Sequence, residues 1–318
     1  MTILLSTTQG WNPGDDFIRW GVKRLLSKKY GPGVNWIFHN RNPDRLQLGE
    51  NSADNSWKCG SLVGVDLVVF AGTPEWCGPA VAPLTRAIVE QGTQAIYFGI
   101  GVGGPAGLNE NDHQVLHRSR IICRDPAAYE MFKDRGAILL PCPSLFAAIP
   151  VSQGSAQSSL GIVWQLGGGL DGGRERARWA QICHSIDANL SERIFSQAQE
   201  RKMTIICHYV EDFRLLLDFG DRDRVLYSAE SSDYVGIYAL FRAIASTRLH
   251  GCMLAAAMEK PAYLLRHDSR STGAIGLVPW IKAVTNLDEC RSELSDAQRT
   301  SMQQFKRDTW DRYMEALP

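Results

Sequence analysis

Arg248 and His250, two residues apart in the stretch S-T-R-L-H-G-C-M-L-A-A-A-M-E-K-P (residues 246–261), carry the sharpest chemical signal in the sequence. At the end of a β-strand that spacing turns both side chains to one face. Gly251 then lets the chain turn, Cys252 to Lys260 reads as a helix, and Pro261 opens the next strand. A fixed cation and a titratable imidazole would thus lie side by side at a helix start. The free amides and dipole of that helix end also favour anions. Such a place suits a phosphorylated, acidic donor and the delivery of a proton to it. Taken alone, the pair reads equally well as a buried strand end that caps the following helix.

Arg124, in I-I-C-R-D-P-A-A-Y (121–129), is the second cation at an expected strand end. Asp125 before Pro126 is explained by structure alone, as an N-cap with proline at the first helical position. Arg124 has no such explanation. Its planar fork suits a carboxylate or phosphate, and a salt bridge across a domain interface is the alternative. The turn W-N-P-G-D-D (11–16) lies between the first strand and the first helix. Asp15 or Asp16 can be an N-cap there; equally, Asn12 and Asp15 can face a cleft, where they would bind or deprotonate a sugar hydroxyl. Trp11, Trp76 and Trp280 fall in loops and can stack on sugar rings or pack between domains.

Other patterns carry less. Gly99, Gly101 and Gly104 fit G-x-G-x-x-G, as do Gly167, Gly169 and Gly172, but neither run has the acidic residue about 20 positions on that a dinucleotide site requires. The 167–173 loop reads as a flexible βα connection or a phosphate loop. I-C-H occurs at 182–184 and 206–208, once in an expected helix and once in a strand, and neither copy matches a zinc spacing, so no metal is expected.

The elements that must position these residues alternate along the chain. Expected strands are Ile3–Ser6, Asn35–His39, Asp66–Ala71, Ala95–Ile100, Ile121–Cys123 and Ile138–Leu140. The helices between them are Phe17–Lys29, Pro79–Gln91, Glu110–His117 and Pro126–Arg135. After the small, polar stretch 150–159 the alternation restarts. Strands Leu160–Gln165, Met203–His208, Arg224–Tyr227, one ending at Arg248, and Ala262–Arg266 alternate with helices Glu175–Arg201, Asp212–Leu217, Asp233–Ala245 and Cys252–Lys260. A long amphipathic helix, Ser295–Ala316, closes the chain. Apolar strands between helices mean parallel sheets covered on both faces. The expectation is α/β, with two Rossmann-like doubly wound domains facing a cleft: residues 1–150 on the acceptor side, 151–290 on the donor side, and a C-terminal helix, 291–318, packing back across them. Ligands bind outside the carboxyl ends of such strands.

The bulk numbers agree. A length of 318 residues suits two domains. Charges balance at 34 against 34, which speaks against nucleic acid as a partner. The eight cysteines form no C-x-x-C pair, and the first residues lack a basic start, so a cytoplasmic chain with reduced thiols is expected. No apolar run approaches the roughly 18 residues of a membrane span; peripheral membrane contact stays open, as does oligomeric state.

Several segments together resemble the polysaccharide pyruvyl transferase family: N-P-G-D (12–15), V-V-F-A-G (68–72), G-I-G-V-G (99–103), R-D-P-A-A-Y-E-M-F-K-D-R-G (124–136), and S-T-R-L-H-G-C-M-L-A-A-A (246–257) followed by K-P-A-Y-L-L. The resemblance implies a fold similar to GT-B glycosyltransferases. It also implies a transferase that uses phosphoenolpyruvate as co-substrate, without a further cofactor, to install a pyruvate ketal on a sugar of a surface glycan. Arg124, Arg248 and His250 match the family's donor-site arginines and histidine. With the residue reading, this makes His250 and Asp15 the catalytic candidates, Arg124, Arg248 and the helix end at Gly251 the donor site, and Asn12, Trp11 and Trp76 the acceptor side. The acceptor itself is a glycan or a lipid-linked sugar. The chain departs from the family at A-G-T-P-E-W (71–76), at P-C-P-S-L-F (141–146), where an aspartate is expected, and at Arg270, where a lysine is common. A nucleotide-sugar glycosyltransferase, with Glu211 or Glu230 on the ribose, and a catalytically silent glycan-binding protein are the alternatives.

Overall fold

Apolar strands joined by helical crossovers build two separate parallel sheets in the computed structural model. It describes residues 1–10, 12–41, 57, 60–72, 77–101, 108–149, 158–165, 190–218, 222–265 and 269–318. The first sheet contains β1 (Thr2–Thr7), β2 (Asn35–Asn40), β3 (Leu67–Ala71), β4 (Gln94–Ile100), β5 (Arg120–Cys123) and β6 (Ile138–Leu139), in the order β2-β1-β3-β4-β5-β6. The second contains β7 (Ser158–Trp164), β8 (Thr204–Cys207), β9 (Val225–Tyr227), β10 (Phe241–Ser246), β11 (Ala262–Leu265) and β12 (Ile281–Val284), in the order β12-β11-β10-β7-β8-β9. Read from its other edge, the second sheet has the 3-2-1-4-5-6 order of dinucleotide-binding folds.

Each order reverses once. In the first sheet β1 lies between β2 and β3, and in the second β7 lies between β8 and β10. Crossovers leave to opposite sides at these two points, which opens a crevice at the carboxyl ends of the strands. The segment after β1 (Asn12 onward) and the segment after β10 (Thr247 onward) are therefore the two best-placed stretches for a ligand.

Helices fill the gaps. They are α1 (Pro13–Tyr30), α2 (Ala82–Gln91), α3 (Glu110–Arg118), α4 (Pro126–Phe132), α5 (Leu190–Glu200), α6 (Val210–Asp218), α7 (Asp233–Ala239), α8 (Leu249–Ala257), α9 (Ser269–Ile275) and α10 (Asp296–Ala316). One continuous buried core joins the sheets: Leu5, Phe17 and Val69 from the first half pack in the same cluster as Val163, Ile206 and Ile244 from the second. Helix α10, capped by a Ser295–Gln298 capping box, touches both halves. Its Ala316 carbonyl accepts from Arg120 Nε at 3.0 Å, and its Lys306 Nζ donates to the Ala257 carbonyl at 2.9 Å.

The structure departs from the sequence reading in several places. Asp233–Ala245 is not one helix; α7 stops at Ala239 and Phe241–Ser246 is the central strand β10. Its alanines favour helix locally, but β10 is paired on both sides and buried, and Phe241 lays its ring on Gly161 of β7, where a Cβ would come within 2.7 Å of the ring. Sheet pairing thus overrides propensity. Strand β12 adds an edge that the alternation did not reveal. Helix α8 begins at Leu249, three residues before the expected Cys252, because Arg248 is already its extended N-cap, with φ −112° and ψ 131°. The stretch 150–157, the 167–173 loop and the first half of the expected helix 175–201 lie outside the described residues.

Candidate active site

Helix α1 starts in the first crevice with Asn12 as its N-cap and Pro13 at the first helical position. Asn12 Oδ1 accepts from the Gly14 amide at 3.0 Å. The capping function proposed for Asp15 or Asp16 therefore belongs to Asn12, and both aspartates sit, buried, in the first turn. Asp16 approaches Arg19 at 2.9 Å and accepts from the Ser231 hydroxyl of the other half. Burial raises its pKa, and Arg19 opposes the rise.

The second crevice contributes Arg248 and His250. The two-residue spacing does not act through a strand, since β10 ends at Ser246. Ser246 Oγ accepts from the Arg248 amide at 2.9 Å and donates to the Arg248 carbonyl at 2.8 Å, folding the chain sharply into α8. Arg248 leaves from the cap and His250 from the first turn, and both reach across to α1. Arg248 Nη2 donates to Asn12 Oδ1 at 2.6 Å. His250 lies against Gly14, where a Cβ would fall 2.4 Å from the imidazole Nδ1.

Arg124 completes the group from the end of β5. Asp125 caps α4 by accepting from the Ala128 amide at 2.8 Å, and Pro126 follows at the first helical position, as the sequence indicates. Arg124 Nη1 lies 2.9 Å from His250 Nε2 and 3.9 Å from Cys142 Sγ. Gly101 makes room for it, since a Cβ there would come 2.9 Å from Arg124 Nε. A guanidinium only donates, so His250 Nε2 must accept, and the imidazole is neutral in this arrangement.

Arg124, Arg248 and His250 are 3%, 8% and 8% exposed. Among the described residues, the hydrogen-bond acceptors of the two guanidiniums are the Asn12 amide oxygen, the Tyr209 phenol, an imidazole nitrogen and a thiol sulfur. Among the described residues, the buried Arg248 Nη1 has no hydrogen-bond partner. Two buried cations of this kind are costly unless an anion joins them. Such an arrangement suits a small anion between the halves, next to an imidazole that could take a proton once the anion offset the neighbouring charge.

Not every candidate has the expected part. The Gly251 amide donates to the Arg248 carbonyl at 3.1 Å, and its Cα faces Ser246 and Tyr238, where a Cβ would come 2.3 Å from Ser246 Oγ. Close packing accounts for this glycine, and its amide is not open to a donor. Asn12 Oδ1 holds Arg248 and the helix end, so that oxygen is taken up within the protein. Trp11 and Trp76 lie outside the described residues. Trp280 packs edge-on against Phe305 of α10, ring centroids 5.0 Å apart.

Sequence reasoning missed two neighbours. Tyr209, two residues beyond β8, accepts from Arg248 Nη2 at 2.8 Å and places its ring 4.1 Å from Arg248 Cζ. Cys142 lies beneath Arg124 and accepts from Ser144 Oγ at 3.0 Å. Both were within reach: Tyr209 directly follows the second I-C-H, and Cys142 occupies the segment that departs from the family. His208 of that I-C-H bonds Tyr238 OH at 3.0 Å.

A polysaccharide pyruvyl transferase family model matches residues 12–269 of the chain. No curated protein matches the sequence. Among solved structures, the chain is similar to the UDP-GlcNAc 2-epimerase of Methanocaldococcus jannaschii in complex with UDP-GlcNAc and UDP, at 12% identity and TM-score 0.53, over 96% of this chain and 98% of that one. It is similar to a putative UDP-N-acetylglucosamine 2-epimerase of Listeria monocytogenes at 10% identity and TM-score 0.52, over 99% and 90%. A UDP co-structure of S. aureus MnaA gives 10% identity and TM-score 0.52, over 99% and 89%. At these identities the likeness carries the fold alone, two Rossmann-like domains in a GT-B-like arrangement. Among the described residues, no helix is long and apolar enough to cross a membrane.

Proposed function

The chain belongs to the polysaccharide pyruvyl transferase family, and on that premise we propose that it transfers the three-carbon unit of phosphoenolpyruvate to a sugar of a surface glycan as a pyruvate ketal. The observation that supports this reading is the pair of buried guanidiniums, Arg124 and Arg248, gathered around His250 and the first turn of α1, with Asn12, Tyr209, His250 and Cys142 as their hydrogen-bond acceptors among the described residues. Phosphoenolpyruvate has two anionic groups, a carboxylate and a phosphate, and each suits a planar fork.

In the proposed reaction the two arginines bind these groups. The donor's negative charge draws Arg124 away from His250 Nε2 and favours the imidazolium. His250 then gives its proton to the methylene carbon, which becomes the methyl group. The central carbon gains positive character, and one sugar hydroxyl attacks it, losing its proton to Asp15 or to solvent. Phosphate leaves with its bonding electrons, and a second hydroxyl of the same sugar, losing its proton in turn, closes the ketal. The balance is one phosphoenolpyruvate and one diol giving one ketal and one inorganic phosphate. Nothing in this sequence needs a metal or a redox cofactor.

Incubation with phosphoenolpyruvate and a panel of glycans and lipid-linked sugars is the direct test. Release of phosphate together with a new ketal methyl signal by NMR is the expected result. Stabilisation by nucleotide sugars without any response to phosphoenolpyruvate would instead make the chain a glycosyltransferase. Binding of phosphoenolpyruvate with no phosphate released on any acceptor would make it a silent relative.

Arg248→Lys gives a second expectation. A point charge cannot keep Asn12, Tyr209 and a donor anion at once, so affinity for phosphoenolpyruvate should fall about 10- to 100-fold, the worth of one hydrogen bond to a charged group. Calorimetric titration of the full chain measures it, and unchanged affinity removes Arg248 from the donor site.

A further inference from the structure

We propose that Tyr209 is a positioning residue for Arg248: it fixes one edge of the guanidinium so that the opposite edge, Nη1, is presented to the donor anion. The inference rests on the donor-binding reading of Arg248 given above.

An arginine side chain has several rotatable bonds, and a donor site needs its fork in one place. Here the Nη2 edge is held twice. Asn12 Oδ1, from the first half, accepts from it at 2.6 Å, and Tyr209 OH, from the second, at 2.8 Å. The two hydrogens of that nitrogen are thereby engaged, one toward each half. The Tyr209 ring then lies 4.1 Å from Arg248 Cζ, close enough for a strong cation–π contact in a desolvated site. Two hydrogen bonds on one nitrogen and an aromatic face against the carbon leave the fork little freedom to turn. The nitrogen left over, Nη1, is buried and has no hydrogen-bond partner among the described residues. Buried donors are almost always satisfied, so an orphan on a clamped cation marks the direction from which a ligand comes.

The surroundings favour the same division of roles. Burial raises the Tyr209 pKa and Arg248 opposes the rise, so the group beside the guanidinium is a phenol rather than a counter-ion. Its neighbour His208 is fully buried, and burial and Arg248 together push its pKa well below the usual histidine range. His208 is therefore neutral, and the positive charge at this spot belongs to Arg248. A tyrosine present only to fill space needs no hydroxyl against Nη2, and phenylalanine would fill the same volume.

Two variants separate ring from hydroxyl. Tyr209→Phe keeps the face and loses the hydrogen bond; Tyr209→Leu loses both. Calorimetric titration with phosphoenolpyruvate should show affinity weakened about threefold in the first and about tenfold or more in the second. In turnover the loss should appear in KM, with kcat nearly unchanged, because orientation of the donor is needed equally before and during reaction. NMR of the Arg248 side chain in the ligand-free protein gives an independent readout. Its Nη signals, identified by their absence in Arg248→Lys, should be separate in the wild type and averaged in Tyr209→Leu. Wild-type affinity in both Tyr209 variants, with Arg248→Lys impaired, overturns the clamp and leaves the donor site standing. Wild-type affinity in Arg248→Lys overturns the donor site, and the NMR signals then decide the clamp alone: averaging in Tyr209→Leu supports it, and separate signals overturn it.

Discussion

His250→Ala should lower turnover by roughly 10²–10⁴-fold, the usual worth of a placed general acid, with little change in donor affinity. The argument starts from the contact between Arg124 Nη1 and His250 Nε2 at 2.9 Å. In that contact Nε2 must accept, and in the proposed reaction an anion that engages Arg124 would free Nε2 to take up the proton. Alanine removes the proton carrier and leaves both guanidiniums in place, which is why rate and binding should separate. His250→Gln is the useful companion, since its amide can meet Arg124 but cannot transfer a proton at neutral pH. Turnover of either variant within threefold of the wild type would take His250 out of the chemical step.

Gly14→Ala should also lower turnover, although residue 14 carries no chemistry. An added Cβ would fall 2.4 Å from His250 Nδ1 and 2.8 Å from His250 Cβ and Cγ. The ring tip can swing away, but His250 Cβ is fixed to the first turn of the buried helix α8. Either α1 shifts, pulling Asn12 from Arg248, or the imidazole leaves Arg124. The expected result is a fall in kcat of at least about tenfold, consistent with the sensitivity of rates to misplacement on the ångström scale. Stability should also fall, by about 1–3 kcal/mol for overpacking. Steady-state kinetics and thermal unfolding on the same preparation measure both. Wild-type kcat in a folded Gly14→Ala protein would show that the contact between the halves does not set the imidazole.

The arrangement of strands was readable because a parallel sheet buries both faces of each strand, leaving apolar runs such as L-V-V-F-A and A-I-Y-F-G-I that no other element explains. Arg124 was readable for a related reason. Once Asp125 and Pro126 are explained as a helix start, the arginine before them has no local reason to be there. Arg248 and His250 were found for an incomplete reason: they converge through an N-cap and a first helical turn, not through the alternation of a strand. What the sequence could not display is pairing across the cleft. Tyr209 and Asn12 are separated by nearly two hundred positions in the chain, and no periodicity relates them; only the order of strands in each sheet brings them to one guanidinium. Gly251 is a local case: Ser246, five positions earlier in the same half, folds back through the Arg248 turn and fills the space that a ligand was expected to approach.

Assembly of the pocket from both sheets has a consequence for the chain as it is made. Asn12, Gly14 and Arg124 emerge from synthesis long before His250, the residue that Arg124 Nη1 meets across the cleft. A ribosome-bound or truncated chain that stops before residue 250 therefore lacks the imidazole altogether and cannot gain it by folding its finished half more tightly. On the proposed assignment, competence would arrive late, with the turn that carries Arg248 and His250, and a split version of the protein should regain it only when both pieces are mixed.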